Sequence, residues 1–342
     1  MRKIYLHGSW HEMGRQYGEQ LKEELRHVYE FLKAKADTEK KWNGVVDIAE
    51  KLFKHYPAEL REFFMGMAET SGFNEEELRI INAVEYSEGA FMCSGLAVWG
   101  EYCRDGLLYG RNYDEFSFLP LHDDIIVTVY HPEGCQWVAT LGYAGEISAL
   151  NGINESGLFL ELNNGMPSGG FDINFDVCAS TAELLMVLFR ARTIDDMDRF
   201  FCDTRCFASF VIGVADANEA RSYEWCQQGC KRGDVETPKG LMIQTNHFVN
   251  PEWTFPTPDD SAWCTQTRRC NLRTMADSMK GNIGVSEVQK MMQTTIDDGG
   301  PMFLPNDKGT IATHYQLVVS PASRTIWVRR APSEKWEEIT IM

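Results

Sequence analysis

Apolar residues recur every three or four positions through the first quarter of the chain. Met13, Tyr17, Leu21, Leu25, Val28 and Leu32 form one stripe of helical period. Ser9 and Glu12 stand before it at capping-box spacing, where each side chain can satisfy a backbone donor at the helix start. The same pattern predicts helices over 45–53 and 58–70, the second ending near Gly72. Asn74 with Glu77 then opens another helix, carrying Leu78, Ile80, Ile81 and Val84. Residues 9–92 read as helical, and no convincing strand precedes Phe91.

From Cys93 onward the period changes. Short runs rich in branched and aromatic residues, bounded by Gly, Pro, Asn or Asp, predict strands over 107–110, 125–131, 136–141, 157–162, 207–215, 221–225, 241–245, 314–320 and 325–329. Helical patterns interrupt them at 179–190, 194–202, 267–278 and 286–294. Blocks of strands and helices, rather than regular βαβ alternation, predict a layered α+β architecture. Residues 93–100 and 110–114 read as one hairpin, with a cysteine and an Arg-Asn-Tyr-Asp cluster at one end. The chain has no internal repeat and no low-complexity tract.

At 342 residues the chain fits one large domain or two modest ones. With 44% hydrophobic and 12% aromatic residues it can fill a core, which argues against intrinsic disorder. A formal charge of −17 argues against nucleic-acid or anionic-membrane binding, since phosphates meet repulsion over most of the surface. The opening residues lack an apolar stretch of signal-peptide length, and no apolar run is long enough to span a bilayer. The expectation is a soluble, cytoplasmic protein. Its ten cysteines are spread thinly, a distribution that favours reduced thiols.

Taken singly, the polar candidates have ordinary explanations. Cys93 beside Phe91-Met92 fits a buried free thiol. Arg111 and Asp114 fit a surface ion pair, and Asn163-Asn164-Gly165 fits a turn. Thr245-Asn246-His247-Phe248 fits a polar turn, and Arg268 and Arg269 fit a solvated helix face. Two Cys-x-x-x-Cys pairs, Cys202 with Cys206 and Cys226 with Cys230, lack zinc-knuckle spacing and a histidine cluster. No Gly-x-Ser-x-Gly elbow and no glycine-rich phosphate loop is present.

In this order along one chain, however, the pieces resemble the cysteine branch of the N-terminal-nucleophile hydrolases. That branch includes choloylglycine hydrolases, penicillin V acylases and acid-ceramidase-like amidases. The closest resemblance is to the isopenicillin N acyltransferase-like family. It rests on Cys93-Ser94, Gly110-Arg111-Asn112-Tyr113-Asp114, the turn at 152–158 leading to Leu162-Asn163-Asn164, Thr245-Asn246-His247-Phe248, and Thr267-Arg268. Gly8-Ser9-Trp10-His11-Glu12-Met13-Gly14 resembles the opening of that family's helical pro-segment.

The resemblance implies a four-layer αββα domain over 93–342 preceded by a helical pro-segment over 1–92. It implies that Cys93 attacks the Met92 carbonyl and so becomes a new N-terminus. The freed α-amine, with an ordinary pKa of about 8, then serves as base for a thiol that ordinarily titrates near 8.5. Asp114 would hold that amine and Arg111 would steady the thiolate. Asn246, with the position matching Asn163, would donate to the oxyanion, a contribution of about 3 kcal/mol per donor. Arg268 would lend positive potential. Asn164 and Arg269 remain alternatives to Asn163 and Arg268. Met92 is bulkier than the residue family members often carry there, which would slow self-cleavage.

The implied reaction is hydrolysis, or acyl transfer, of a linear non-peptide amide through a thioester on Cys93, with no cofactor and no metal. Phe116, Phe118, Leu119, Met166 and Phe171 fit an apolar acyl group, or equally a core. The implied partner is a small-molecule N-acyl amide, and a homo-oligomer is common for enzymes of this size. The competing expectation is a non-catalytic small-molecule binding protein that keeps the fold without self-cleavage.

Overall fold

The computed structural model describes residues 1–36, 38–84, 92–116, 120–170, 173–176, 181–234, 238–256, 258–304, 311–332 and 335–341. Its elements begin β1 (Arg2–Gly8), α1 (Trp10–Gln20), α2 (Lys22–Lys35), α3 (Glu39–Lys54), α4 (Ala58–Ser71), α5 (Glu75–Asn82), β2 (Met92–Val98) and β3 (Leu108–Phe116). They continue with β4 (Ile125–Pro132), β5 (Val138–Tyr143), β6 (Asn151–Asn154), β7 (Phe159–Asn164), α6 (Met166–Gly169), α7 (Thr181–Arg190), α8 (Ile194–Asp203), β8 (Phe210–Ala215), β9 (Ala220–Cys226) and β10 (Gly229–Arg232). The chain closes with β11 (Leu241–Gln244), α9 (Asp260–Trp263), α10 (Thr265–Ser278), α11 (Val285–Gln293), β12 (Ile311–Ser320), β13 (Thr325–Arg330) and β14 (Glu337–Thr340). Two compact units result: Met1–Ala90 with Pro120–Glu155 and Cys178–Arg190, and Phe91–Leu119 with Ser156–Val177 and Ala191–Met342.

The first unit holds α1 to α5, β1, β4 to β6 and α7. Both predicted capping boxes form there. Ser9 N–H donates to Glu12 Oε2 at 2.8 Å, and Asn74 N–H donates to Glu77 Oε2 at 3.0 Å. Gly72 ends α4 at φ 86°, a left-handed position that suits glycine. The single stripe over 13–32 proves to be two helices, because Leu21 leaves helical geometry at φ −116°, ψ 24°. β1 is a further correction, since no strand was expected before Phe91. Only Ile4 and Leu6 point inward from it, too short an alternation to register, and its parallel partner β4 lies more than a hundred residues away.

In the second unit β11-β2-β3-β12-β13-β14 form one sheet and β7-β8-β9-β10 lie in order in another. β2 and β3 pair antiparallel as the expected hairpin, with Cys93 opposite Tyr113 and Gly95 opposite Arg111. α10 and α11 cover one face of the first sheet: Leu272, Val288 and Met292 pack with Leu96, Val98 and Val318. Its other face meets β7, where the Tyr109 and Phe159 rings lie 4.9 Å apart. Beyond that strand set lies α8, with Phe201 against Tyr223 at 4.5 Å and Trp225 at 5.3 Å. The order is helix, sheet, sheet, helix, the α+β arrangement expected. β6, β10 and β14 were not foreseen; each has four residues, below the length at which alternation is legible.

Among the described residues no helix is long and apolar enough to cross a membrane.

α1 and α4 cross so closely that side chains are excluded at the contact. A Cβ at Gly14 would overlap the Phe63 carbonyl, and one at Gly66 would overlap the His11 carbonyl. Backbone cannot yield as a flexible side chain does, so Gly14→Ala and Gly66→Ala should each lower stability by about 3 kcal/mol. Urea unfolding measures this; an unchanged midpoint in both variants would contradict the close crossing.

Candidate active site

The pleat of β2 and β3 decides which side chains meet. Cys93 and Gly95 on β2 share a face with Tyr109, Arg111 and Tyr113 on β3, and that face looks toward β7. The opposite face of β3 carries Gly110, Asn112 and Asp114 and looks toward α10 and α11. The Cys93 sulfur therefore sits between the sheets while its backbone is reached from the helical side. The sulfur-bearing side chain is fully buried.

Arg111 Nη2 donates to Cys93 Sγ at 3.2 Å. Its Nη1 donates to Asn163 Oδ1 at 3.1 Å and to Glu161 Oε2 at 2.6 Å. From the helical side, Arg268 Nη1 donates to the Cys93 carbonyl at 2.6 Å and Nη2 donates to Asn246 Oδ1 at 2.7 Å. That same Asn246 Oδ1 accepts the Cys93 N–H at 3.1 Å. Arg268 Nη1 also lies 3.6 Å from Asp114 Oδ2, whose Oδ1 accepts from Thr313 Oγ1 at 2.6 Å. Cys93, Arg111, Asp114, Asn163, Asn246 and Arg268 thus converge on one buried cluster.

The two one-residue ambiguities separate in space. The Asn163 side chain meets Arg111, whereas Asn164 turns its side chain to accept from Met166 N–H at 2.8 Å. Asn164 still contributes its carbonyl, which accepts from Asn246 Nδ2 at 2.7 Å. Arg268 is fully buried at Cys93, while Arg269 is partly exposed and donates to the Ile243 carbonyl. In the intact chain Asn246 is thus engaged on both side-chain atoms. Met166 is buried. Phe118, Leu119, Phe171 and the side chain of Phe116 lie outside the described residues.

Burial and charge set the proton affinities. Burial pushes the Asp114 carboxyl up to about 6, against the opposing pull of Arg268, Thr313 and Arg111. Burial likewise loosens the proton of Arg268, with Asp114 and Cys93 working to retain it. For Arg111 burial acts in the same direction, but the combined pull of Cys93 and Glu161 outweighs it and raises the pKa. Burial, with Arg269 and Arg268 nearby, brings His247 down to about 4, so it is neutral at neutral pH. His247 shares Nδ1 contacts with Thr265 Oγ1 at 2.8 Å and Thr245 Oγ1 at 3.2 Å.

Sequence reasoning missed Glu161, Thr265 and Thr313. Thr265 Oγ1 accepts from Asn246 N–H at 2.9 Å and so orients that residue. Glu161 had a readable signal: it is the one charged residue in the strand Phe159-Leu160-Glu161-Leu162. Thr313 had none, because its partner Asp114 lies 199 positions away. Among the described residues no group of three or more His, Cys, Asp and Glu is arranged to hold a metal ion.

The αββα sandwich is the fold of the N-terminal-nucleophile hydrolases. The sequence pattern of the acyl-coenzyme A:6-aminopenicillanic acid acyl-transferase family matches residues 101–331, and the chain belongs to that family. Arg111, Asp114, Asn163, Asn246 and Arg268 fall inside the match, and Cys93 lies just upstream of it. A variant of the conjugated bile acid hydrolase from Clostridium perfringens shares the fold: 12% identity over 73% of this chain and 92% of that one, TM-score 0.51. The Caenorhabditis elegans ortholog of N-acylethanolamine-hydrolyzing acid amidase is 16% identical over 67% of this chain and 93% of its own, TM-score 0.49. Penicillin V acylase from Agrobacterium tumefaciens is 13% identical over 73% and 86%, TM-score 0.42. No curated protein matches the sequence.

Asp114 gives the site a pH signature. An unfolded Asp titrates near 3.9 and the folded one at about 6, so between those values the folded chain holds a proton that the unfolded chain has released. The stabilisation is complete below about pH 4 and lost as pH rises through about 6, up to about 3 kcal/mol. Asp114→Asn should therefore flatten the stability profile between pH 4 and 6. Denaturation at each pH, with and without Asp114→Asn in a common Cys93→Ala background, measures it; parallel profiles would refute the assignment.

Proposed function

We propose that the protein is a self-processing cysteine amidase or acyltransferase acting on a small-molecule N-acyl amide through a thioester on Cys93. The observation that carries this is the double grip on one residue. Arg111 contacts the sulfur of Cys93, while Asn246 and Arg268 hold its backbone N–H and carbonyl. A structural cysteine needs no such setting, and buried guanidinium groups are costly unless paired. Family membership supplies the class of chemistry, acyl transfer.

On this reading the Cys93 thiol gives up its proton and attacks the Met92 carbonyl carbon. The C–N bond then breaks, the Cys93 nitrogen takes up a proton, and Met92 is left as a thioester. Water then cleaves the C–S bond of the thioester, leaving Met92 as a carboxylate and freeing the thiol beside the α-amine released in the previous step. In each later turnover the amine accepts the thiol proton, the thiolate attacks the substrate amide, and the departing amine takes the proton. Water or a second amine then receives the acyl group. Arg111 steadies the thiolate, Asp114 pairs with the new amine, and Arg268 supplies positive potential. Asn163 and Asn246 face the oxyanion once Asn246 Nδ2 exchanges Asn164 for it. The route asks for no cofactor or metal.

Incubation of the purified chain should convert 39.0 kDa protein into fragments of about 10 and 28 kDa, the larger beginning at Cys93. Cys93→Ala should remain whole and show no turnover on N-acyl amino acids, bile-salt conjugates, penicillin V or N-acyl lactones. Amide turnover by that variant at the wild-type rate would falsify the assignment. Tight binding of such a compound to a wild-type chain that neither cleaves itself nor turns it over would favour the binding-protein alternative.

A further inference from the structure

Glu161 has no place in the reaction as written, yet it is one of the most heavily engaged side chains beside Cys93. It lies on β7 with no solvent exposure. Its Oε1 accepts from Tyr109 Oη at 2.9 Å and from Gln244 Nε2 at 2.5 Å. Its Oε2 accepts from Arg111 Nη1 at 2.6 Å. Three donors thus converge on one carboxylate.

Two glycines make room for this network. A Cβ at Gly95 on β2 would overlap Glu161 Oε1, and one at Gly213 on β8 would overlap Tyr109 Oη and crowd Gln244 Nε2. Glycine in a strand interior forfeits packing and marks a close approach. Here both approaches are made by the same network, from opposite sheets.

The geometry passes to the nucleophile through a rigid plane. Glu161 and Asn163 fix Nη1 of Arg111, and because a guanidinium is planar, fixing Nη1 also aims Nη2. That second nitrogen lies 3.2 Å from Cys93 Sγ. We propose that Glu161 is a positioning residue for the Cys93 thiol, locking the Arg111 guanidinium in the orientation that delivers Nη2–H to the sulfur. This rests on Cys93 being the nucleophile.

Charge and orientation make opposite predictions, which gives the test its force. As a plain negative charge, Glu161 would compete with the thiolate for Arg111, so its removal would ease thiol ionisation. As a positioning group, its removal would release Nη2 from the sulfur and hinder ionisation. Orientation should win, because the amide of a glutamine places an N–H against at least one of the three donors and breaks the network.

The experiment titrates the Cys93 thiolate by its ultraviolet absorption, as a difference from Cys93→Ala, in purified wild type, Glu161→Gln, Glu161→Asp and Gly95→Ala, with the extent of self-cleavage of each recorded by gel. Circular dichroism and thermal melting first establish which variants fold. Titration should move up by about one unit in Glu161→Gln and in Glu161→Asp, which keeps the charge but withdraws it by one methylene. Gly95→Ala displaces Oε1 without removing a polar group and should shift the same way. kcat should fall about tenfold at neutral pH and recover at higher pH, with KM within about twofold. A wild-type titration in Glu161→Asp, or a lowered one in Glu161→Gln, overturns the proposal. The thiol signal is read whether or not the chain turns over, so failure here is distinguishable from failure of the assigned activity.

Discussion

A fully buried guanidinium is the constraint around which the inner faces of the two sheets are arranged. Arg111 has no access to water, so its charge must be met inside the protein. Glu161 supplies the opposite charge, Asn163 a neutral acceptor and Cys93 a sulfur acceptor. Among the described residues the Arg111 Nε has no hydrogen-bond partner, which makes the remaining contacts more exacting. Small shifts of either sheet would leave a charge unpaired in a dry interior, where losing one partner of such a pair costs about 3–5 kcal/mol. The pair therefore fixes the spacing of the sheets as firmly as the apolar contact of Tyr109 with Phe159 beside it.

That spacing explains why so few elements hold the site. β3 carries Arg111 and Asp114 three residues apart, hence on opposite faces of one strand. One faces the second sheet and the other faces Arg268 on α10, so β3 links the polar cluster to the helical layer. Thr265, at the start of α10, fixes the Asn246 backbone, and Arg268 one turn later reaches the Cys93 carbonyl. Sulfur and backbone of a single residue are thereby held by different layers. A residue so placed can change its bonding at nitrogen without releasing its sulfur.

Most of this was readable from residue patterns, and the gaps have physical causes. Local signals succeeded where the partners are near in sequence: Ser9 with Glu12, Asn74 with Glu77, and the left-handed end of α4 at Gly72. β1 escaped because its stability comes from pairing with β4, which leaves little trace in its own two inward residues. The six residues proposed for the site were legible as a set because the chain resembles a family, with no single one convincing by local pattern. Glu161 was overlooked for the opposite reason. It stands as the one charge in an otherwise apolar stretch, and only the packing of two sheets shows what that charge is needed for.

The balance of charge gives the proposed cleavage a further rationale. The intact cluster contains two guanidinium groups, Arg111 and Arg268, and two carboxyls, Glu161 and Asp114. Ionised, these cancel, so a thiolate alone would leave an uncompensated negative charge in a buried space, an expensive state. Asp114 shows that strain already: burial raises its pKa, and among the described residues its Oδ2 accepts no hydrogen bond. Cutting before Cys93 turns an amide N–H into an amine able to carry a proton. A new ammonium could then balance the thiolate and give Asp114 Oδ2 a donor. On this account cleavage supplies more than a base, because it lets thiolate and carboxylate remain charged together inside the sandwich.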